Sequence, residues 1–239
     1  MLKLTKEEIK FIDNYLVKNK VKYWDVRTEL LDHIILATEA KTNNEGISFN
    51  EALLEVHEEF GNKLGHFKSP SFEQSLYYSN KGFKKFTLEK QKEIGKKYRR
   101  QHWQGLKSLF LSPKFLLEYV LFGICFYLCF LNFTKLAIVF GMILLMIPTF
   151  YSGFHSIKNK MARRSLNIVL TTGISLLPWT IYNLSLQVFN LNYKGEEDKP
   201  YYIFLILTIL CYPLMRSGLN IYMKIYNDFK NQYNLMVNS

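Results

Sequence analysis

The sequence predicts an all-α protein in three parts: a small N-terminal three-helix cytoplasmic bundle over residues 1–66, a basic linker and amphipathic juxtamembrane helix over 67–114, and a four-helix transmembrane bundle with a cytoplasmic tail over 115–239. Three observations predict it. Apolar residues recur at helical spacing behind capping residues in the first 60 positions. Charge is segregated: residues 1–66 hold nine Lys or Arg against twelve Asp or Glu, residues 67–114 hold twelve against three, and the remainder holds ten against five. The last 125 residues are dominated by Leu, Ile, Phe and Tyr, with charges confined to short clusters.

Thr5 and Glu8 have capping-box spacing ahead of Ile9, Ile12, Tyr15 and Leu16, which predicts a first helix. A second runs from about Trp24 to Lys41, with Val26, Leu30, Ile34 and Ala37 on one face, and "TNNEG" is expected to break it. Ser48 and Glu51 repeat the capping box, and the third helix runs to Gly61, a natural residue to follow a helix end. From Lys63 to Phe86, Ser, Pro, Gly and Asn punctuate the chain and predict a linker.

The segment "KEIGKKYRRQHWQGLKSLFLSPKF" interleaves cations with aromatic residues, a pattern shared by nucleic-acid binders and by helices lying on anionic membranes. On a helical wheel from about Thr87, one half carries Ile94, Tyr98, His102, Trp103, Leu106, Leu109 and Phe110. The other carries Lys90, Lys96, Lys97, Arg100 and Lys107, with Lys92 and Arg99 at the boundary. Pro113 stops the helix, and "FLLEYVLFGICFYLCFLNF" follows directly. That adjacency favours anionic lipid headgroups over nucleic acid as the partner, and Lys92, Lys96, Lys97, Arg99, Arg100, Trp103 and Lys107 are the predicted membrane-surface contacts.

Four spans are predicted, over 115–131, 136–154, 166–189 and 200–223. Pro148, Pro178 and Pro213 fall one each in the last three and are read as kinks. The 155–164 connection holds Lys158, Lys160, Arg163 and Arg164 without an acid, whereas "NYKGEEDKP" is balanced. The positive-inside rule then puts both termini in the cytoplasm. The opening "MLKLTKEEIKFID" lacks the apolar region of a cleavable signal peptide.

Searching for chemistry gives little. No phosphate-loop or dinucleotide-binding glycine pattern occurs, and the five histidines have no zinc-site spacing. Glu29 and His33 predict an ordinary surface helix pair, and His57 among Glu55, Glu58 and Glu59 predicts a solvated acidic face. Cys125, Cys129 and Cys211 lie in apolar runs and read as buried thiols, with no disulfide framework. The sequence therefore predicts no enzyme, no cofactor and no metal site. Within the spans, Glu118 and Arg216 fall at similar depth near the cytoplasmic end, and the hypothesis is that they pair.

The run "NYLVKNKVKYWDVRTELLDHI", then "ATEA", then "GISFNEALLEVHEEFGN", resembles the small three-helix HAAS-type domain of bacterial membrane proteins. That domain has an acidic second helix of the E-L-x-D-H kind and an "EA…V…FG" third helix ahead of a membrane region. The resemblance covers about a quarter of the chain, and the sequence departs from the commonest form in its "KYWD" entry and long basic linker. It implies a cytoplasmic signalling or interaction module in the bacterial inner membrane. Relatives often neighbour PadR-like transcriptional regulators, so it implies a cytoplasmic protein of that kind as partner.

Two function classes remain. The first is a non-enzymatic, membrane-anchored interaction or signalling protein, whose acidic bundle could also dock reversibly on the basic helix of its own chain. The second is a small transporter or permease subunit, using Thr171, Thr172, Ser175, Asn183 and Ser185 of the third span. A water-filled cavity lined by that face would distinguish it.

Overall fold

The computed structural model describes residues 3–65, 71–194 and 199–238, and these form eleven helices and no strand. Packing divides the chain into two compact units: Met1–Ile94 with Arg164–Leu166, and Gly95–Arg163 with Asn167–Ser239.

In the first unit, α1 (Lys6–Lys18) opens on the expected capping box: Thr5 Oγ1 accepts the Glu8 N–H at 3.2 Å, and Glu8 Oε2 accepts the Thr5 N–H at 2.7 Å. It closes in a Schellman turn, with the Val21 N–H on the Leu16 carbonyl at 3.1 Å and the Lys20 N–H on the Val17 carbonyl at 3.0 Å. Lys20 occupies the left-handed position of that turn at φ 65°. Next, α2 (Trp24–Glu45) runs through the "TNNE" stretch expected to break it. Thr42 Oγ1 and Asn43 Nδ2 donate to the Thr38 and Glu39 carbonyls of the preceding turn, so these polar side chains stay within the helix and Gly46 ends it. The Ser48–Glu51 box starts α3 (Phe49–Glu59), and Gly61 follows its end at φ 79°.

The expected linker is partly helical. After residues 66–70, which lie outside the described residues, come α4 (Phe72–Tyr77) and the start of α5 (Lys81–Phe110). Both contribute to the core, because Leu76 and Phe83 join Ile12, Tyr15, Leu30 and Leu53 in full burial. Asn19 fastens this arrangement by donating to the Leu76 carbonyl at 3.2 Å and accepting from Asn80 at 2.8 Å. Gly82 lets α5 approach the end of α3, since a Cβ there would lie 1.8 Å from the Phe60 carbonyl oxygen.

His57 corrects the reading of a solvated acidic face. It is buried, accepts at Nδ1 from the Tyr15 hydroxyl at 2.5 Å, and lies 3.4 Å through Nε2 from the Lys63 carbonyl. Burial holds its pKa below the usual 6.5, so the imidazole is neutral. The neighbouring Glu55 and Glu59 turn instead to Lys41, at 2.7 and 2.9 Å, and these carboxylates raise the Lys41 pKa. Arg164–Leu166 belong here because the Trp24 N–H donates to the Arg164 carbonyl, while Asp25 accepts from Ser165 Oγ at 2.8 Å and the Leu166 N–H at 3.0 Å.

The second unit holds the apolar helices. Pro113 opens α6 (Pro113–Asn132) at its first turn, which ends α5 as expected. It is followed by α7 (Thr134–Lys158), the short α8 (Lys160–Arg163), α9 (Leu166–Ser175), α10 (Leu177–Asn192) and α11 (Tyr202–Asn238). Three of these, α6, α7 and α11, are long and apolar enough to cross a membrane. The predicted third span instead forms two helices that meet at Leu176. Pro178 has no N–H to offer the Ile174 carbonyl, which removes one rung of the ladder at that point. By contrast α7 and α11 continue through Pro148 and Pro213. The core gathers Leu145, Tyr182, Phe189, Phe204, Tyr212 and Met215. Tyrosine hydroxyls fasten helix to helix, with Tyr119 donating to the Ile209 carbonyl and Tyr182 to the Ile138 carbonyl. The balanced "NYKGEEDKP" turn falls partly at residues 195–198, outside the described residues.

Candidate functional site

The predicted surface contacts lie on one helix. Lys92, Lys96, Lys97, Arg99, Arg100, Trp103 and Lys107 are all exposed on α5, and none of the six cations forms an ion pair among the described residues. Lys90 differs, holding Glu29 at 2.5 Å and Glu93 at 3.4 Å, and these acids raise its pKa. That bond takes Glu29 away from a simple pairing with His33, which lies 4.0 Å off.

The apolar half of the wheel is narrower than the sequence suggests. Tyr98 and His102 are buried, whereas Trp103 and Phe110 are 59% and 42% exposed. Adjacent residues on a helix point about 100° apart, so a buried stripe narrower than the predicted half takes in His102 and leaves Trp103 in solvent. Tyr98 donates to Asn167 Oδ1 at 2.6 Å, and Ser217 Oγ donates to the His102 carbonyl at 3.1 Å. These bonds turn one face of α5 inward within the second unit and leave the cations outward. Burial lowers the His102 pKa, so the cationic face owes nothing to that imidazole at neutral pH.

The structure brings Glu118 and Arg216 together: Arg216 Nε lies 3.8 Å from Glu118 Oε1. The same oxygen accepts from the Tyr212 hydroxyl at 2.6 Å. The short bond in this trio is therefore the tyrosine's. Sequence reading missed Tyr212, although it stands one turn before Arg216 on α11, a spacing that puts both on one face.

Cys211 is buried as expected, but Cys125 is exposed and Cys129 only half-covered. The reason is that α6 is the least covered of the three long apolar helices. Both thiols line a cavity of about 540 Å³ together with Phe122, Phe126, Phe140 and Tyr212. Its walls come from α6, α7 and α11, not from the polar face of α9 and α10 on which a transporter reading rests. On that face Thr171, Thr172, Ser175 and Ser185 each donate to a carbonyl of their own helix. These hydroxyls each have a partner within their own helix. Among the described residues, no three His, Cys, Asp or Glu side chains gather as a metal site. His66 lies outside the described residues.

Compared with protein-family models, curated proteins and solved structures, the chain gives no match.

Proposed function

We propose that this chain is a non-enzymatic integral membrane protein in which an N-terminal helical domain binds a cytoplasmic partner while the apolar helices anchor it in a bacterial inner membrane. One observation carries the reading: six exposed cations without an ion pair among the described residues and an exposed Trp103 on α5, followed through Pro113 by the apolar α6. Cations so placed attract anionic headgroups at about 1 kcal/mol each near the surface. Alternatives for such a face are weaker. A nucleic acid would need the same cations free of a bilayer that this reading begins at Pro113, six residues after Lys107.

In this reading α9 and α10 together make a fourth, proline-broken span. The exposed Lys158, Lys160, Arg163 and Arg164 then share the cytoplasmic side with α5. The resemblance to HAAS-type domains supports a partner-binding role for the first unit, with a transcriptional regulator as the partner class. Its α2 offers Asp32, His33 and Leu36 to solvent, Leu36 at 64% exposure.

The test reconstitutes the full chain in nanodiscs of phosphatidylcholine with or without phosphatidylglycerol. With Trp24 and Trp179 replaced by Phe, quenching of the remaining Trp103 fluorescence by brominated lipid should rise with anionic lipid, and should fall when Lys96, Lys97, Arg99 and Arg100 become Gln. Quenching that ignores both lipid charge and these substitutions would remove the surface-helix reading. A photocrosslinker at Leu36 in native membranes tests the partner, and crosslinks confined to integral proteins would move the function into the spans.

A further inference from the structure

The first unit contains a second cavity, of about 360 Å³, between the α1–α2 turn and the start of α5. Its apolar floor is Val21 and Phe83, both buried, with Tyr23 beside them and Leu88 exposed at the mouth. Lys20, Lys22 and Lys84 rim it, and no acidic side chain is among its lining. None of the three lysines has an ion pair among the described residues, and Lys22 lies over the Tyr23 ring at 5.4 Å.

Two other polar side chains of the lining are already engaged. Asn19 donates its amide hydrogens to the Tyr15 and Leu76 carbonyls, and Thr87 Oγ1 donates to the Phe83 carbonyl at 2.8 Å. The three ammonium groups and the Tyr23 hydroxyl remain to recognise a ligand, and the ammonium groups select for negative charge. Lys20 adds an independent observation. It stands at φ 65°, where glycine is the favoured residue, and it is part of the cavity lining. A lysine here is strained relative to glycine, a cost that a ligand-binding role for its side chain would offset.

We propose that this cavity binds a single-chain anionic amphiphile, its head held by Lys20, Lys22 and Lys84 and the first part of its chain lying on Val21, Tyr23 and Phe83. The volume sits near the low end of the range for small-molecule sites, which suits one chain rather than the two of a bilayer phospholipid. The site would make the first unit a ligand-responsive module, and it stands whether or not that unit also binds a protein.

The experiment uses the full chain with labelled methyl groups in phosphatidylcholine nanodiscs, titrated with sodium dodecanoate below its micelle concentration. Saturable shifts are expected at Val21 and Leu88 but not at Leu36. Lys20→Gly preserves the turn while removing one cation, and it should weaken binding about threefold, as should Lys84→Gln. Dodecyltrimethylammonium, with the same chain and the opposite charge, should not compete. The proposal is overturned if shifts fail to saturate, if the lysine variants bind equally, or if the cationic amphiphile competes. It is also overturned if only phosphatidylglycerol in the disc, and not dodecanoate, moves these methyls.

Discussion

Replacing Gly82 with alanine sets two well-known effects against each other. Alanine favours a helix over glycine by about 1 kcal/mol, so in an exposed helix the change stabilises. At position 82 the added Cβ would stand 1.8 Å from the Phe60 carbonyl oxygen and 2.6 Å from its carbon. Both are backbone atoms and cannot rotate away, so α5 must withdraw from the end of α3. Withdrawal stretches the Gly82 N–H bond to Asn62 Oδ1, now 2.9 Å, and loosens Phe83 from Tyr15 and Phe60, whose ring centroids both lie 5.6 Å away. Overpacking of this kind costs about 1–3 kcal/mol, and a buried hydrogen bond adds about 1 kcal/mol. Subtracting the propensity gain leaves a net loss of roughly 2 kcal/mol. Hydrogen exchange on the full chain in nanodiscs reads this locally, as amides in α1 and α3 exchanging roughly 30-fold faster. Gly95 is the control, because its Cβ would meet nothing within 4 Å. Gly95→Ala should slow exchange in α5. If Gly82→Ala also slows exchange, the close approach of α5 to α3 is wrong.

Further outcomes test other parts of the molecule. His57 binds its proton less readily folded than unfolded, so the unfolded state takes up more protons as pH falls, and stability of the first unit should decline below about pH 6.5. His57→Gln should flatten that decline in a pH series of exchange measurements. Tyr15→Phe leaves the His57 Nδ1 acceptor buried without its donor and should cost about 1–2 kcal/mol by the same assay. Lys20→Gly should stabilise the unit by about 1 kcal/mol by relieving the left-handed lysine, and a loss of stability would show that the lysine side chain holds the turn. For Glu118 and Arg216 a double-substitution cycle to Gln in thermal unfolding should give a coupling of about 0.2–1 kcal/mol, small because both side chains are more than a third exposed. Additive effects would show that the pair contributes nothing as a pair.

Helix starts were legible because they are local. Thr5 with Glu8 and Ser48 with Glu51 satisfy backbone donors within one turn and begin helices where the sequence places them, and Pro113, read as the stop of the preceding helix, also opens the next. The misreadings arise where a distant partner overrides local preference. "TNNE" stays helical because its side chains bond back along α2, and Lys41 there is held by Glu55 and Glu59 of α3. The linker from Lys63 to Phe86 is punctuated by Ser, Pro, Gly and Asn, yet buried Leu76 and Phe83, with the Asn19 bonds to Leu76 and Asn80, hold part of it on the core. Its aromatic residues are interrupted by Ser, Pro, Gly and Asn, so no sustained helical period shows.

The same division explains the candidate sites. The cations of α5 could be found in the sequence because an exposed charge needs no partner, and their positions on the helix follow from spacing alone. His57 could not, since its acidic neighbours in sequence face away from it, and its real partner stands 42 residues earlier in Tyr15. Glu118 and Arg216 form an intermediate case. Membrane segments hold so few charges that the two select each other, but the shortest bond in the group belongs to Tyr212, one of 16 tyrosines in the chain. Tyrosine in an apolar helix reads as packing until a carboxylate or a carbonyl is seen beside its hydroxyl. Tyr119 and Tyr182 likewise donate to carbonyls of neighbouring helices, where leucine would fill the space but leave the acceptor without a second donor. In Tyr119, Tyr182 and Tyr212 the hydroxyl thus fastens one apolar helix to another, which ring packing alone would not do.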